Sequence, residues 1–512
     1  MQAYQLLHAV LAVFKVCAVI GSEGYNKAQN DQEDERPLTS HGGFDNEERI
    51  LMDSAFEPDS PYKTLSQFDF VDDSNTKNSQ SRKTNNSVPL ILWWTQNLFP
   101  HGLVSDEANP AVIQCGQDKC LSSTNRSLLL DSRTRGIMFY GTDLDPFDLP
   151  LPRKSRHEWA LLHEESPLNN FMLSHYPFIK MFNHTSTFRR ESDYPLASQY
   201  LYSLEYLIER PPVSLAIKNQ YRSAPHLYAP VLYVQSHCGV ASDRDRYVQE
   251  LMKYIAVDSY GKCLHNRDLP ESMRNPAESF EKNEFLDFIA KYKFHIAFEN
   301  AICTDYMTEK LFRCLHLGSV PVYMGSPLAR DWMPDSQSII MVQDFKSPKE
   351  LAEYLDFLDK NDDEYSKYLK FKEPGGVTNQ FLINHLEQRE WEMNSQDNMD
   401  FILGFECYLC KKLTERMRMK KAHLHNKNIP LLPPKFANSS HLGCPQPYTS
   451  IGDPQDALEG DSWLEMDWIG QYWGDLDKAY AVRDMMLAKE KDSAKFNEYW
   501  TKFVEKHDRK KN

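Results

Sequence analysis

From residue 88 onward, short apolar runs alternate with polar, turn-rich stretches. Val88-Pro-Leu-Ile-Leu-Trp-Trp94, Gly136-Ile-Met-Phe-Tyr140 and Trp159-Ala-Leu-Leu162 are uninterrupted apolar segments of the kind that form buried strands. They predict a first α/β domain over 88–222. The pattern resumes at Val231-Leu-Tyr-Val-Gln235, Val257–Gly261, Phe294–Phe298, Val320–Tyr323 and Ser338–Val342, which predicts a second α/β domain over 223–395. Residues 216–230, with Pro225 and Pro230, read as the crossing between them. Helical spacing appears at Tyr247, Leu251 and Tyr254, at Leu311, Phe312 and Leu315, and through Leu351–Leu358. Before residue 88 the pattern changes. Residues 23–87 are rich in Asp, Glu, Asn, Ser, Lys and Gln without a sustained period, which predicts a disordered stem. In 1–22, Leu6–Gly21 is apolar but broken by His8 and Lys15, and is shorter than a usual membrane span. A small-residue exit at Ala18 or Gly21 suits a signal peptide, with a type II signal anchor as the alternative. Either sends the chain into the secretory pathway. The extension 396–512 opens with Phe405-Glu-Cys-Tyr-Leu-Cys410, passes through a basic stretch and ends in helix-like sequence whose Trp463, Trp468 and Trp473 read as packing residues.

The densest stretch is Lys293–Pro327, which reads as strand, polar loop, helix, strand, the length of one βαβ unit. Glu299 and Asn300 stand just past the strand, where open α/β sheets bind ligands. Thr308 is a good helix N-cap, with Glu309 and Lys310 in the first turn. Unpaired amides at a helix start favour phosphate, and Lys310 adds a full charge. Glu299, Asn300 and Glu309 supply acceptors for sugar or ribose hydroxyls. Together they describe a nucleotide-sugar site.

Composition narrows the partners. Apolar residues make up 41% of the chain and charged residues 26%, as in ordinary globular proteins. A net charge of -15 argues against nucleic acid or an anionic membrane as the main partner. An anionic donor therefore needs a local basic pocket. Ten cysteines suit an oxidising compartment, and Cys17 in the leader leaves at least one thiol unpaired. Cys115, Cys120, Cys407 and Cys410 admit either zinc or disulfides, and Cys238 with Cys263 is a further candidate pair. Sequons at Asn85, Asn125, Asn183 and Asn438 agree with a secreted glycoprotein. Asp143-x-Asp145 and Asp243-x-Asp245 mimic a metal-binding motif, although such short acidic pairs arise readily by chance.

Phe298-Glu-Asn300, Asp305-Tyr-Met-Thr-Glu-Lys310 and Gly318-Ser-Val-Pro-Val-Tyr323 closely resemble the donor-binding signature of the α1,3-fucosyltransferases, glycosyltransferase family 10, which use GDP-fucose. The resemblance runs from about 88 to 445. It implies a GT-B type α/β fold, two Rossmann-like domains facing a cleft, with a helical, disulfide-bonded C-terminal tail. It also implies disulfides from Cys407 and Cys410 back to the N-terminal domain, and no metal or other cofactor beyond the donor GDP-fucose. The third strand ends in His163-Glu-Glu-Ser-Pro167; its Glu165 reads by itself as a cleft carboxylate or a solvated loop acid, and the resemblance makes it the catalytic base, with Glu164 the neighbour open to confusion. Arg244, at the start of a helix, matches the arginine that contacts the donor pyrophosphate. Ser236, Tyr260, Glu299, Asn300, Tyr306, Glu309 and Lys310 complete the donor-binding set, Tyr260 as a stacking partner for guanine. Phe182–Asp193 resembles a further family segment and reads as lining the acceptor cleft or as a glycosylated loop.

The segments His163-Glu-Glu-Ser-Pro-Leu-Asn-Asn170, Val257-Asp-Ser-Tyr-Gly-Lys-Cys263 and Gly404-Phe-Glu-Cys407 resemble the animal branch often called type 10/11, associated with protein O-fucosylation of EMI domains. Fucose transfer to a glycoprotein acceptor is thus expected, to Ser/Thr of an EMI-type domain or to GlcNAc of an N-glycan, in the lumen of the ER or Golgi. The alternative is a catalytically silent glycan-binding or folding-assistance protein that keeps the donor fold. A third option is another donor, GDP-mannose or a UDP-sugar.

Overall fold

Strand β1 (Leu90–Trp93) is buried along its whole length, as its unbroken apolar sequence requires, because helices and loops cover both faces of a parallel sheet. The computed structural model describes residues 88–101, 110–274, 282–392, 399–442, 444–447, 450 and 468–511. The leader, the stem, Asn85 and Trp463 lie outside them. Around β1 a six-stranded sheet forms with β2 (Ala111–Cys115), β3 (Asp118–Ser123), β4 (Thr134–Tyr140), β5 (Glu158–His163) and β6 (His184–Thr187), in the order β2-β3-β1-β4-β5-β6. All neighbours are parallel except the β2–β3 hairpin. The second sheet is all parallel, in the order β11-β10-β9-β7-β8, from β7 (Val231–Tyr233), β8 (Val257–Ser259), β9 (Phe294–Phe298), β10 (Val320–Met324) and β11 (Ile340–Met341). These are the two Rossmann-like α/β layers of a GT-B fold.

The first layer departs from the sequence reading in two places. The β2–β3 hairpin was not read from the sequence, and β6 is a strand within Phe182–Asp193, which read as lining the acceptor cleft or as a glycosylated loop. In β6, Thr185, Ser186 and Thr187 are fully buried polar residues, so no apolar alternation marks them. Their hydroxyls are satisfied from afar: Thr185 Oγ1 lies 2.7 Å from His441 Nδ1, and Ser186 Oγ donates to Tyr194 O. The domain crossing also shifts, because Ala197, Leu201 and Leu207 pack into the second layer with Leu311, Phe312 and Leu315. The helix Arg244–Leu251 stops before Tyr254, which is 47% exposed.

The C-terminal extension returns to the first layer. Helix Phe401–His425 is tied to the β2–β3 hairpin by Cys115–Cys407 and Cys120–Cys410. Its Glu406, buried at the same interface, accepts from Trp93 Nε1 (2.8 Å) and Ser122 Oγ (2.5 Å) and pairs with His101 (2.7 Å). Cys238–Cys263 links the loops that follow β7 and β8, and Cys303–Cys444, not anticipated from spacing, ties the tail to the loop after β9. Cys314 is the free, buried thiol among the described residues. Helix Trp468–Leu487 lays Trp468, Tyr472 and Trp473 against Phe171 of the first layer and Ala241 of the second. Trp468 and Trp473 are packing residues, as expected.

The sequons separate. Asn438 is exposed and Asn125 half-buried at the cap of a short turn. Asn183 corrects the expectation of a glycan there. Its Oδ1 accepts from Arg153 Nη2 and the Trp159 amide, and its Nδ2 donates to Lys435 O, all within 2.8 Å. A sugar on Nδ2 would break this buried network.

Candidate active site

The register between β9 and β10 ends level at Phe298 and Met324, and the chain then turns into the loop 299–308. Thr308 caps helix Glu309–Leu317: its Oγ1 accepts from the Lys310 amide, and Gly318 ends the helix with φ +66°. Glu299 is fully buried and closes the loop on itself. Its Oε1 accepts from the Thr308 amide (2.8 Å), its Oε2 from Thr308 Oγ1 (2.7 Å), and Lys310 Nζ lies 3.7 Å away. Burial raises the Glu299 carboxyl above its ordinary range despite Lys310. Glu299 thus corrects the expectation of an open sugar-binding acceptor: both oxygens shape the loop. Asn300 is the freer neighbour, with a buried Oδ1 that has no partner among the described residues.

Lys310 lies at the helix start with Nζ 3.2 Å from Glu309 Oε1 and 3.0 Å from Thr308 Oγ1. Burial would raise Glu309, but Lys310 and Arg313 outweigh it and hold its carboxyl down to about 2. Tyr306 is buried with its ring 5.2 Å from Phe188. Beyond β7 and β8 opens a cavity of about 430 Å³ lined by Ser236, Tyr260, Gly261, Lys262, Asp268 and Arg274 among others. Ser236 is exposed on its rim. Tyr260 is fixed by a 2.6 Å bond to the Tyr292 hydroxyl and by the edge of Phe288, and burial pushes its phenol up to about 12. Gly261 is required by close approach, since a Cβ there would meet Gln235 O at 1.9 Å.

Two observations join these parts. His237 is held below its ordinary value by desolvation and then by the positive charges of Arg244 and Lys310, with Asp245 opposing them and Lys262 adding a smaller push, so charges from the cavity rim and the helix start act on one side chain. Tyr200, which sequence reading missed, is raised well above its ordinary value by burial, then by the charges of Glu165 and Glu309. Glu165 is half-buried past β5, and its charge acts on the same phenol as that of Glu309 in the first turn of the second layer's helix. Its neighbour Glu164 is turned inward, 2% exposed, and burial with repulsion from Glu165 pushes it up to about 8.

Arg244 departs from expectation. Instead of pointing outward at phosphate, it is buried, with Nη1 donating to Phe298 O (2.9 Å) and Nη2 to His237 O (2.8 Å). It braces the strand end and contributes charge through the wall. In the second acidic pair both carboxylates have partners. Asp245 accepts from Tyr233 Oη and the Gly239 amide, while Asp243 pairs with Arg246 and Ser450. Among the described residues, one trio lies close enough to share a cation, Cys238, Asp245 and Cys263, and its two sulfurs are joined in a disulfide. No helix among the described residues is long and apolar enough to cross a membrane.

Comparison with known proteins agrees with this layout. Residues 86–199 match the family described as "Fucosyltransferase, N-terminal", and residues 227–429 match "Glycosyltransferase family 10 (fucosyltransferase) C-term". Proteins named GDP-fucose protein O-fucosyltransferase 3 are similar: that of Xenopus tropicalis is 46% identical over 401 residues, 78% of this chain and 81% of that one. The Homo sapiens protein is 42% identical over 417 residues, 81% of this chain and 82% of that one. A solved α1,3-fucosyltransferase with GDP-fucose aligns over 65% of this chain and 94% of that one, at 15% identity and a TM-score of 0.35. With relatives at these identities over most of both chains, and both halves of the fold matched in order, the chain belongs to glycosyltransferase family 10, the fucosyltransferases.

Proposed function

We propose that this enzyme moves L-fucose from GDP-β-L-fucose, with inversion, to a Ser or Thr hydroxyl of a folded secretory protein in the lumen of the early secretory pathway. Glu165 takes the hydroxyl proton as that oxygen attacks C1 of fucose. The C1–oxygen bond to the diphosphate breaks, and GDP leaves with its charge met by Lys310, the amides at the helix start and the field focused at His237. General-base help of this kind is worth about 10²–10⁴-fold, and fixed charges aimed at a leaving group typically add several kcal/mol. Ser236 and Tyr260 line the nucleotide cavity, Asn300 Oδ1 and Glu309 meet donor hydroxyls, and Tyr306 frames the donor. Glu299 and Arg244 hold the walls. Catalysis needs no bound metal in this scheme, because protein cations carry the positive charge.

The observation that supports this reading most is the start of helix Glu309–Leu317 just past β9, where the Thr308 cap, Glu309 and Lys310 gather around the buried Glu299, with the charges of Glu165 and Glu309 both acting on Tyr200. A protein acceptor is favoured over GlcNAc by the names of the relatives, and an EMI-type domain is the acceptor to try first. The four disulfides suit a lumenal enzyme. Incubation with GDP-fucose and, separately, a folded EMI domain and an N-glycan acceptor, with products weighed by mass spectrometry, tests it. One added deoxyhexose on the EMI domain is expected. Transfer to the glycan alone would return the enzyme to N-glycan modification, and GDP binding without transfer to either would identify a silent binder.

A further inference from the structure

Asp305, in the middle of the donor loop, holds a left-handed backbone, φ +63°, which costs a non-glycine residue energy and persists only when its surroundings enforce it. The enforcement comes from the other layer. Arg190, just after β6, forks onto the fully buried Asp305 carboxylate, with Nη2 2.6 Å from Oδ1 and Nε 3.0 Å from Oδ2, and its own amide donates to Oδ2 at 3.1 Å. Trp332 Nε1 adds a 3.0 Å bond to Oδ1, and the Asp305 amide donates to Ser326 Oγ at 2.8 Å. The remaining guanidinium nitrogen, Nη1, reaches Asp331 at 2.8 Å, and the group lies 5.1 Å from Trp332 and 5.2 Å from Phe381. Two residues before Arg190, Phe188 lies edge-on to Tyr306, the residue after Asp305.

A bidentate pair onto a buried carboxylate is both strong and directional, and losing one partner leaves the other charge stranded. In the fucose-transfer reading the segment that follows Asp305 meets the donor: Tyr306 is next in the chain, and Thr308 begins the helix whose amides and Lys310 are assigned to the diphosphate. We propose that Arg190 is a positioning residue for GDP-fucose, using its ion pair with Asp305 to hold the loop 299–308 in the binding-ready shape from the opposite domain. This rests on the fucose-transfer reading and assigns Phe182–Asp193 a task other than lining the acceptor cleft. A loop ordered in advance saves binding energy that would otherwise go to ordering it, so loss of the clamp appears in donor affinity more than in turnover.

The test compares wild type, Arg190→Ala and Arg190→Lys in the full chain, by GDP calorimetry, by steady-state kinetics and by amide hydrogen exchange. In Arg190→Ala, the GDP Kd and the KM for GDP-fucose should each rise about tenfold or more, with kcat at saturating donor within about threefold. Exchange should quicken at residues 304–308 but not in β9 or β10. Arg190→Lys, which keeps the charge and loses the fork, should fall between, and it decides the matter if the alanine variant does not fold. A folded variant with unchanged GDP Kd and donor KM, or one that loses kcat alone, overturns the proposal. If wild type binds GDP without transferring fucose, the catalytic reading fails while calorimetry still tests the clamp; if wild type does not bind GDP, both fall.

Discussion

Glu164 offers a measurement in which sign and size are both set by its surroundings. The side chain is 2% exposed, its Oε1 accepts a long 3.2 Å bond from Tyr140 Oη, and its Oε2 is buried without a partner among the described residues. Burial first, then repulsion from Glu165 and Asp143, lifts its carboxyl from 4.5 to about 8. In the folded chain it therefore keeps its proton through neutral pH, whereas the unfolded chain releases it near 4.5. Folding then takes up a proton across this window, so the group costs nothing below about pH 4.5 and becomes increasingly destabilising as pH rises. The slope is at most about 1.4 kcal/mol per pH unit, and the penalty levels off above about pH 8 at no more than about 5 kcal/mol. Glu164→Gln keeps the shape of the protonated acid and cannot ionise. The assay is the thermal unfolding midpoint of wild type and variant across about pH 5 to 9. The variant's advantage should grow with pH by several degrees and then flatten. Parallel midpoints across the whole range, or a variant that loses ground as pH rises, would refute a buried, protonated Glu164. Transfer activity near neutral pH should survive this substitution, which separates Glu164 from Glu165, the base proposed above.

Glu165→Gln should bind GDP as wild type does and lose about 10²–10⁴-fold in kcat; turnover at the wild-type rate rules it out as the base. Gly261→Ala places a Cβ 1.9 Å from the Gln235 carbonyl, which belongs to the backbone and cannot swing aside. The cavity wall must move, and calorimetry should find GDP affinity lowered about tenfold or more; an unchanged Kd would separate this cavity from the donor site. Cys444→Ser releases the tail from Cys303 across 141 residues, for which the chain-entropy estimate is a loss of about 5 kcal/mol, read as a lower unfolding midpoint that no longer responds to that bond's reduction.

The βαβ unit was legible because every signal that builds it is local. The apolar run Phe294–Phe298 became β9 without a shift of boundary, Thr308 capped the helix, and Leu311, Phe312 and Leu315 turned to the core. Strand β6 was hidden, since a buried strand of Thr and Ser carries no hydrophobic period. Its polar groups are tolerated through partners such as His441, about 250 residues away. The donor-set residues were named as a group, but their jobs divided once folded: Glu299 and Arg244 face inward onto Thr308 and backbone carbonyls, while Ser236 and Tyr260 line the cavity.

The sequence by itself therefore determined the alternating α/β layers, the loop 299–308 and its helix, the family, and the carboxylate pair Glu164–Glu165. These follow from periodicity, capping and side-chain chemistry within a few turns of chain. Only the tertiary structure decided which of those two carboxylates is buried, that the charges of Glu165 and Glu309 both act on Tyr200, that Arg190 pairs with Asp305, and that Cys303 pairs with Cys444. Each of these depends on groups from about 20 to more than 140 residues apart meeting where water is excluded, and burial and neighbouring charge at such a meeting are properties of packing that no local pattern encodes.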